Sequence, residues 1–445
     1  MGRTLHLNAF LMSSGHHEAA WRLPESDPHA DLDVDHWVRL ARIAERGALD
    51  SLFLADSPSF WHGAEFRPVG QLDPFVLLSV LAAATTHIGL IATASTTYNA
   101  PYNLARRFAS LDHVSGGRAG WNIVTTPERS AAQNFGLGDR PDHADRYARA
   151  TEFLDVTLKL WDSWDDDAVL ADKASGRFAA PGRIHTIDHE GEYYSVRGPL
   201  NVPRSPQGRP LLVQAGSSED GKDFAARYAE AVFTAQPTIE DAQAFYSDLK
   251  QRAKQFGRDP SDVKILPGIV PVLGGTVAEA EERARELEEL IVPAYGLQQL
   301  VEILEVPIEI LELDKQLPDE IAGTQNVEGA RSRAALVVAL ARRERLTVRQ
   351  LIGRLGGGRG HWTVVGTPEQ VADALATWFR EGAADGFNVM GPVLPASLAD
   401  FVEHVVPILR RHGLVRSEYE GTTLRDHYGL TRPAGRYQLA ETAAA

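Results

Sequence analysis

The sequence predicts an α/β protein of the (β/α)8 class, a TIM barrel with insertions. Short apolar segments alternate with longer helical patterns, which is typical of parallel strands joined by helices. Eight segments have the character of strands, and each has a helix behind it. The 445 residues exceed the roughly 250 of a typical barrel, and two irregular stretches and a tail account for most of the difference. We therefore expect one domain over 1–445, with insertions at about 165–209 and 291–360 and a polar tail from about 417.

The elements are assigned from apolar periodicity and from helix-ending residues. Leu5–Leu11 is a short apolar run, and Val34–Gly47 has an amphipathic pattern that ends at a glycine. The other predicted strands are Ser51–Asp56, Ile88–Ala94, Arg118–Thr125, Pro210–Ala215, Ala231–Thr234, Val263–Val272 and Phe387–Gly391. The other predicted helices are Pro74–Thr86, Pro101–His113, Asp142–Trp164, Ser218–Ala229, Ile239–Phe256, Thr276–Leu290, Pro368–Glu381 and Leu398–Arg411. In the first insertion, Glu192–Val196 is predicted to be a hairpin strand.

The composition argues against several classes of function. With 45 basic and 60 acidic residues, the net charge is −15, which disfavours nucleic acid and anionic membranes as partners. The chain has no cysteine, which excludes disulfides, thiolate zinc sites and cysteine nucleophiles. The longest apolar stretch, Phe75–Ala84, is too short to span a bilayer. No signal peptide is visible, so we expect a cytoplasmic protein.

Candidate site residues are sought where strands end, because active sites of this fold lie there. Asp56 closes an apolar strand, and a carboxylate at such a place is either paired, used as a helix cap, or functional. The segment Gly216–Asp223 nearly matches a phosphate-binding P-loop, but Asp223 stands where Ser or Thr should hold magnesium. An NTPase is therefore rejected. Ser217 and Ser218 at a helix N-terminus still suit a phosphate, with a simple helix cap as the alternative.

His143 and Tyr147 are four residues apart, on one face of the helix after the fourth strand. They can point at a ligand together, or they can be ordinary surface residues. No metal site is predicted, since the first strand carries His6-Leu7-Asn8 rather than two histidines two apart. A Gly-x-Gly-x-x-Gly pattern after a strand is also missing. The residues alone therefore indicate a barrel enzyme with a candidate site for a phosphorylated ligand, and they go no further.

A series of segments in order resembles one family, the bacterial-luciferase-like flavin monooxygenases. Within it, the chain is similar to the branch that holds nitrilotriacetate, EDTA, dibenzothiophene-sulfone and long-chain-alkane monooxygenases. The segments are His6–Phe10, Leu52–Asp56, Thr93–Pro101, Leu111–His113, Gly120–Thr125, Asn134–Gly136, His189–Tyr193, Gly198–Pro203, Gln214–Ser218, Gly358–His361, Val365–Pro368 and Asp385–Asn388. They cover nearly the whole chain.

The resemblance implies an FMN site. Carried over residue by residue, the cofactor-binding residues are Asp56, Thr93, His143, Tyr147 and Ser217. Ser218 is expected to share the phosphate, and Asn122 to touch the flavin ring.

The resemblance also implies a reaction. FMNH2 from a separate NAD(P)H:flavin reductase meets O2, and a flavin peroxy adduct inserts one oxygen atom into a small organic substrate. The Gly15-His16 step points to His16 as a catalytic residue, with His17 as the alternative, and His361 as a second candidate. A homodimer or homotetramer is expected. Alkane-type members carry histidines in the second insertion, whereas this chain has none between Tyr295 and Arg359, which argues against an alkane substrate.

The aromatic residues Phe10, Trp21, Phe60 and Trp61 follow or end the first two strands and form either a substrate pocket or core. Three other functions stay open at this point. They are a deazaflavin-dependent oxidoreductase of the same superfamily, a non-catalytic flavin-binding protein, and a metal-dependent barrel hydrolase that would carry stoichiometric metal.

Overall fold

Eight parallel strands close into a barrel in the computed structural model, which describes residues 3–60, 63–69, 72–321, 331–358 and 360–437. They are β1 (His6–Leu11), β2 (Ser51–Leu54), β3 (Gly89–Ser95), β4 (Ala119–Val124), β9 (Leu211–Gln214), β10 (Ala231–Thr234), β11 (Lys264–Leu273) and β13 (Gly386–Val389). Each pairs with the next in this order, and β13 returns to β1. The predicted (β/α)8 barrel is confirmed.

The helices are α1 (Val34–Arg46), α2 (Pro74–Ala84), α3 (Pro101–Ser115), α4 (Arg129–Asn134), α5 (His143–Trp161), α6 (Glu219–Tyr228), α7 (Ile239–Gln255), α8 (Val277–Glu289), α9 (Pro293–Leu304), α10 (Arg331–Arg343), α11 (Val348–Gly358), α12 (Pro368–Arg380), α13 (Ala396–Asp400), α14 (Val406–Arg411) and α15 (Leu424–His427). A π-helical turn, Phe401–Val405, joins α13 to α14. Many helices begin where the sequence offers a cap. Thr276 and Thr367, for example, form capping boxes with Glu279 and Gln370. Among the described helices, none combines the length and apolar character needed to cross a membrane.

The barrel strands are apolar on both faces, as parallel strands covered by helices require. One face of each strand packs against the helices, as Leu7, Leu52 and Leu90 do. The other face fills the barrel interior, where Phe10 and Phe53 join a separate cluster. Side chains therefore occupy the lower and middle barrel, and the C-terminal ends of the strands are left to form a site.

One further strand, β12 (Trp362–Gly366), was not predicted from the sequence. It pairs with the second half of the ten-residue strand β11, outside the barrel. Its half-buried segment lies between the second insertion and α12, where a five-residue run gives little periodicity.

The first insertion, at about 165–209, contains two hairpins. They are formed by β5 (Val169–Asp172) with β6 (Arg177–Ala179), and by β7 (His189–Glu190) with β8 (Ser195–Val196). The second insertion, at about 291–360, forms α9 to α11 around its own apolar cluster, which Ala19 joins from the loop after β1. Residues 322–330 and 359 of that insertion lie outside the described part.

The segment expected as a polar tail from about 417 closes the N-terminal end of the barrel. Tyr428 is fully buried, and its hydroxyl donates to Asn8 Oδ1 at 2.8 Å. Arg425 bonds both carboxylate oxygens of Glu230, at 2.8 and 2.9 Å. Residues 438–445 lie outside the described part. The polar residues of this segment thus neutralise a buried carboxylate at the bottom of the barrel.

Candidate active site

Two histidines reach one aromatic cluster inside the barrel. The ring centroids of Phe10 lie 4.9 Å from Phe53 and 5.4 Å from Phe233. The ring centroids of His16 and Phe10 lie 4.6 Å apart in an edge-to-face arrangement. Those of His361 and Phe233 lie 5.0 Å apart, and the two rings are stacked. The structure therefore brings the two predicted catalytic residues, one from the loop after β1 and one from the residue before β12, to the same cluster.

His16 is held firmly in place. It is 1% exposed, and its Nε2 lies 2.8 Å from the backbone oxygen of Phe10. Because a carbonyl only accepts hydrogen bonds, Nε2 carries the proton. The backbone N–H of His16 also donates to Gly391 O at 3.0 Å. Both contacts fix the ring against the aromatic cluster.

The neighbouring His17 takes a different direction. Its Nδ1 accepts from the backbone N–H of Ala19 at 3.2 Å. A Cβ on Gly357 of α11 would lie 3.0 Å from its ring, which packs against the second insertion. Of the two adjacent histidines, His16 is thus the one that contacts Phe10.

Trp21 and Phe60, which were also expected to line a pocket or the core, do not lie with Phe10. Trp21 donates from Nε1 to the backbone oxygen of Phe66 at 3.0 Å, and Phe60 is an exposed loop residue. Trp61 lies outside the described residues. Of the three that the structure describes, Phe10 alone joins the cluster inside the barrel.

Buried polar atoms gather near the ends of β3 and β4. Asn122 Nδ2 donates to Thr93 Oγ1 at 2.8 Å. Asn122 Oδ1, Thr126 Oγ1 and the hydroxyl of Tyr98 have no hydrogen-bond partner among the described residues. Buried polar atoms in native proteins are nearly always satisfied. The donors and acceptors here therefore fit a polar ligand at this end of the barrel.

Asp56 follows β2 by two residues, next to the end of β3, because Leu54 pairs with Ala92. Burial and the nearby Asp73 raise the pKa of Asp56 to about 6, although a hydrogen bond from the Ser57 backbone acts in the opposite direction. A carboxyl group that titrates this close to neutral pH is typical of functional sites.

A polar cluster surrounds the start of α6. The rings of His143 and Tyr147 lie 5.0 Å apart, and His143 Nδ1 is 2.9 Å from Asp220 Oδ2. A Cβ on Gly221 would stand 3.0 Å from both the Tyr147 hydroxyl and Ser218 Oγ. Ser218 also caps α6 by accepting from Gly221 N at 3.1 Å. The structure thus joins His143, Tyr147 and the α6 N-terminus, as a phosphate site requires.

Ser217 and Ser218 face different neighbours. Ser217 Oγ lies 3.4 Å from Thr234 Oγ1 at the end of β10, whereas the Ser218 hydroxyl interacts with Tyr147. Burial raises the pKa of Tyr147, with Ser218 and Arg146 opposing that effect. The hydroxyl of Tyr147 is therefore protonated at neutral pH and can donate to an anion.

Three residues near these clusters were missed by the sequence analysis. Gln214 Oε1 is buried without a hydrogen-bond partner among the described residues, as is Arg146 Nε. The unsatisfied hydroxyl of Tyr98 belongs to a ring that stacks on Phe135 at 4.7 Å. The position of Arg146, three residues after His143 on α5, was a usable signal. No group of three or more potential metal ligands occurs in the described part of the chain.

Comparison with known proteins shows the family. The model for luciferase-like monooxygenases matches residues 10–386. Nitrilotriacetate monooxygenase component A from Aminobacter aminovorans is 47% identical over 444 residues, covering 97% of each chain. The N-acetyl-S-(2-succino)cysteine monooxygenase of Bacillus subtilis (strain 168) is 48% identical over 436 residues, covering 98% of each. The solved EDTA monooxygenase from Chelativorans sp. BNC1 has a TM-score of 0.83 at 35% identity, covering 97% of this chain and 99% of that one. The chain therefore belongs to the luciferase-like monooxygenase family, and it is a flavin monooxygenase of the two-component type.

Proposed function

We propose that the protein is an FMNH2-dependent monooxygenase that inserts one oxygen atom from O2 into a small organic substrate. The observation that carries this proposal is a set of buried polar atoms at the C-terminal end of the barrel, from Tyr98, Asn122 and Thr126, which find no hydrogen-bond partner in the described part of the chain. They lie on the same side of the barrel as the polar cluster of Tyr147 and Ser218 at the N-terminus of α6. A ligand with a polar ring and a phosphate matches both features.

The proposed FMN site uses the five residues Asp56, Thr93, His143, Tyr147 and Ser217. The N-terminus of α6 offers backbone N–H groups and a positive helix end to the phosphate. Close packing supports this assignment, because a Cβ on Gly216 would lie 3.4 Å from the Tyr147 hydroxyl and 2.4 Å from Gln214. Thr93 and Asn122 supply polar atoms for the ring edge, and Asp56 supplies a carboxyl group near the end of β3.

The proposed catalytic residues are His16 and His361. Bound FMNH2 supplies the electrons that activate O2. The task of the protein is to exclude water and to control protons beside the ring. His16 is suited to this task, since it is buried against Phe10 and its tautomer is fixed by the Phe10 carbonyl. An imidazole can hold or release a proton near neutral pH.

We also propose a partner and an assembly. FMNH2 comes from a separate NAD(P)H:flavin reductase, and the two proteins work in the cytoplasm, where NAD(P)H is available. A homodimer or homotetramer is supported by apolar side chains exposed on α2 and α3, namely Val76, Val80 and Val114, which are 64%, 41% and 65% exposed. Size-exclusion chromatography with light scattering tests the assembly, and a monomer at micromolar concentration would contradict it.

The function is tested by mixing anaerobic protein and FMNH2 with O2 in a stopped-flow instrument. If the protein sequesters FMNH2, oxidised FMN reappears more slowly than it does from free FMNH2. Identical time courses with and without the protein would contradict the proposal. Hydride transfer to or from a deazaflavin, with no uptake of O2, would support the deazaflavin alternative instead.

A further inference from the structure

The residues assigned so far to the proposed phosphate site offer its ligand no unpaired positive charge. A phosphate monoester carries about 1.5 to 2 negative charges at pH 7. Tyr147, Ser217 and Ser218 are neutral, and His143 is already in contact with the carboxylate of Asp220. A phosphate held only by these groups would lie near the carboxylate of Asp220, and its negative charge would not be fully balanced.

Two cations on α6 and α7 are occupied elsewhere. Lys222 Nζ contacts Glu219 at 2.5 Å and Asp248 at 2.7 Å. Arg252 bonds Glu219, Asp223 and Asp248, at distances from 2.5 to 2.8 Å. These ion pairs leave neither side chain available for the phosphate.

Arg146 is differently placed. It follows His143 by three residues and precedes Tyr147 by one, so all three side chains emerge on one face of the first turns of α5. Arg146 is 4% exposed, although burying a charge is costly unless it is paired. One Nη of its guanidinium donates to Pro141 O at 2.8 Å. Its Nε has no hydrogen-bond partner among the described residues.

The surroundings of Arg146 connect the two halves of the proposed site. Its charge acts on Tyr147 on one side and on Tyr98, which follows β3, on the other. The charged groups that face it are Glu128 and Arg140, from the segment between β4 and α5. Arg140 donates to Pro127 O at 3.3 Å. Glu128 partly balances the charge of Arg146. A purely structural pairing of Arg146 with Glu128 is therefore the alternative that an experiment must distinguish from phosphate binding.

We propose that Arg146 binds the phosphate of FMN by a charge-assisted hydrogen bond from its guanidinium. This inference rests on the proposed function, because it requires FMN at this site. It explains why a buried guanidinium beside Tyr147 keeps an unsatisfied donor. An arginine suits the task, since its planar fork matches phosphate geometry.

The test compares FMN with riboflavin, which has the same ring and no phosphate. Dissociation constants are measured by quenching of flavin fluorescence for wild type, Arg146→Gln and Arg146→Lys. Arg149→Gln is the matched control, because Arg149 lies one turn further on α5 and bonds the Tyr194 hydroxyl at 2.8 Å. Circular dichroism and thermal unfolding without flavin report on folding of each variant.

We expect Arg146→Gln to weaken FMN binding about 10- to 100-fold and to leave riboflavin binding within about twofold. Arg146→Lys should recover part of the loss, and Arg149→Gln should bind FMN like the wild type. Unchanged FMN affinity in folded Arg146→Gln, or equal weakening for riboflavin and FMN, would overturn the inference and favour a structural pairing with Glu128. A wild-type protein that fails to bind FMN would overturn the proposed function as well, so the two failures are distinguishable.

Discussion

The two serines at the start of α6 allow the proposed phosphate site to be tested residue by residue. Ser217→Ala removes a hydroxyl whose nearest described polar contact, Thr234 Oγ1, is 3.4 Å away. The ligand-free protein should therefore lose little stability. In the proposed FMN complex the same change removes a hydrogen bond to an anion, worth about 1–3 kcal/mol, or about 5- to 150-fold in Kd. We therefore expect weaker FMN binding with unchanged stability.

Ser218→Ala should behave differently. Its hydroxyl accepts from Gly221 N at 3.1 Å as the cap of α6, and losing such a cap costs about 0.5–2 kcal/mol of stability. The variant should thus lower both the free energy of unfolding and the affinity for FMN. Ser79→Ala is the control, since Ser79 is an exposed residue of α2 whose hydroxyl donates to Phe75 O at 2.7 Å.

The assay is a flavin fluorescence titration together with urea unfolding of the ligand-free protein. The reasoning is refuted if Ser217→Ala binds FMN as the wild type does, or if it loses riboflavin affinity to the same extent. Equal losses of stability in Ser217→Ala and Ser218→Ala would refute the assignment of Ser218 as the cap.

Three other predictions follow from the same geometry. His16→Ala should lower the single-turnover rate of substrate oxidation by about 10²- to 10⁴-fold while FMN affinity stays within about twofold; equal losses of rate and affinity would remove His16 from the mechanism. Asp56→Asn should stabilise the ligand-free protein at pH 7 but not at pH 4. In the folded protein the pKa of Asp56 is about 6, above the ordinary value of 3.8. Protonated Asp56 therefore costs the fold no stability below about pH 4, and the protein loses stability as the pH rises through 6 and the carboxyl group ionises. The shift corresponds to about 3 kcal/mol, reduced to about 1–2 kcal/mol because the carboxyl group is partly exposed; an equal effect at both pH values would contradict this. Arg425→Met should destabilise the protein by about 3–5 kcal/mol, because Glu230 is left buried without its main partner. Tyr428→Phe should cost only about 0.5–1.5 kcal/mol, since Ser51 still donates to Asn8 Oδ1. Similar free energies of unfolding for the two variants would be inconsistent with this ranking.

The barrel could be predicted from the sequence because its strands are buried on both faces. Leu211–Gln214, for example, falls within the predicted Pro210–Ala215, since an apolar run bounded by Pro and Gly indicates a parallel strand. The strand Trp362–Gly366 was missed because it lies outside the barrel and is only half-buried. The segment around α15 has a polar composition, and its role at the bottom of the barrel depends on a distant partner, Glu230.

The proximity of candidate site residues could be predicted where spacing along one helix decides it. His143 and Tyr147 are an example, because a separation of four residues places them together whatever the tertiary structure. His16 and His17 could not be separated in this way. Their directions are set by contacts with Gly391 and with Gly357, both more than 300 residues away along the chain. Arg146 was overlooked because its burial, rather than its residue type, distinguishes it.

A crystal structure of the protein with FMN tests the central claim most directly. We expect the phosphate at the N-terminus of α6, within hydrogen-bonding distance of Tyr147 and Ser217, and the ring edge against Thr93 and Asn122. Phosphate sites of this fold are more often formed after the seventh and eighth strands, which are β11 and β13 here. A phosphate found after either of those strands, or at the bottom of the barrel beside α15, would contradict the account.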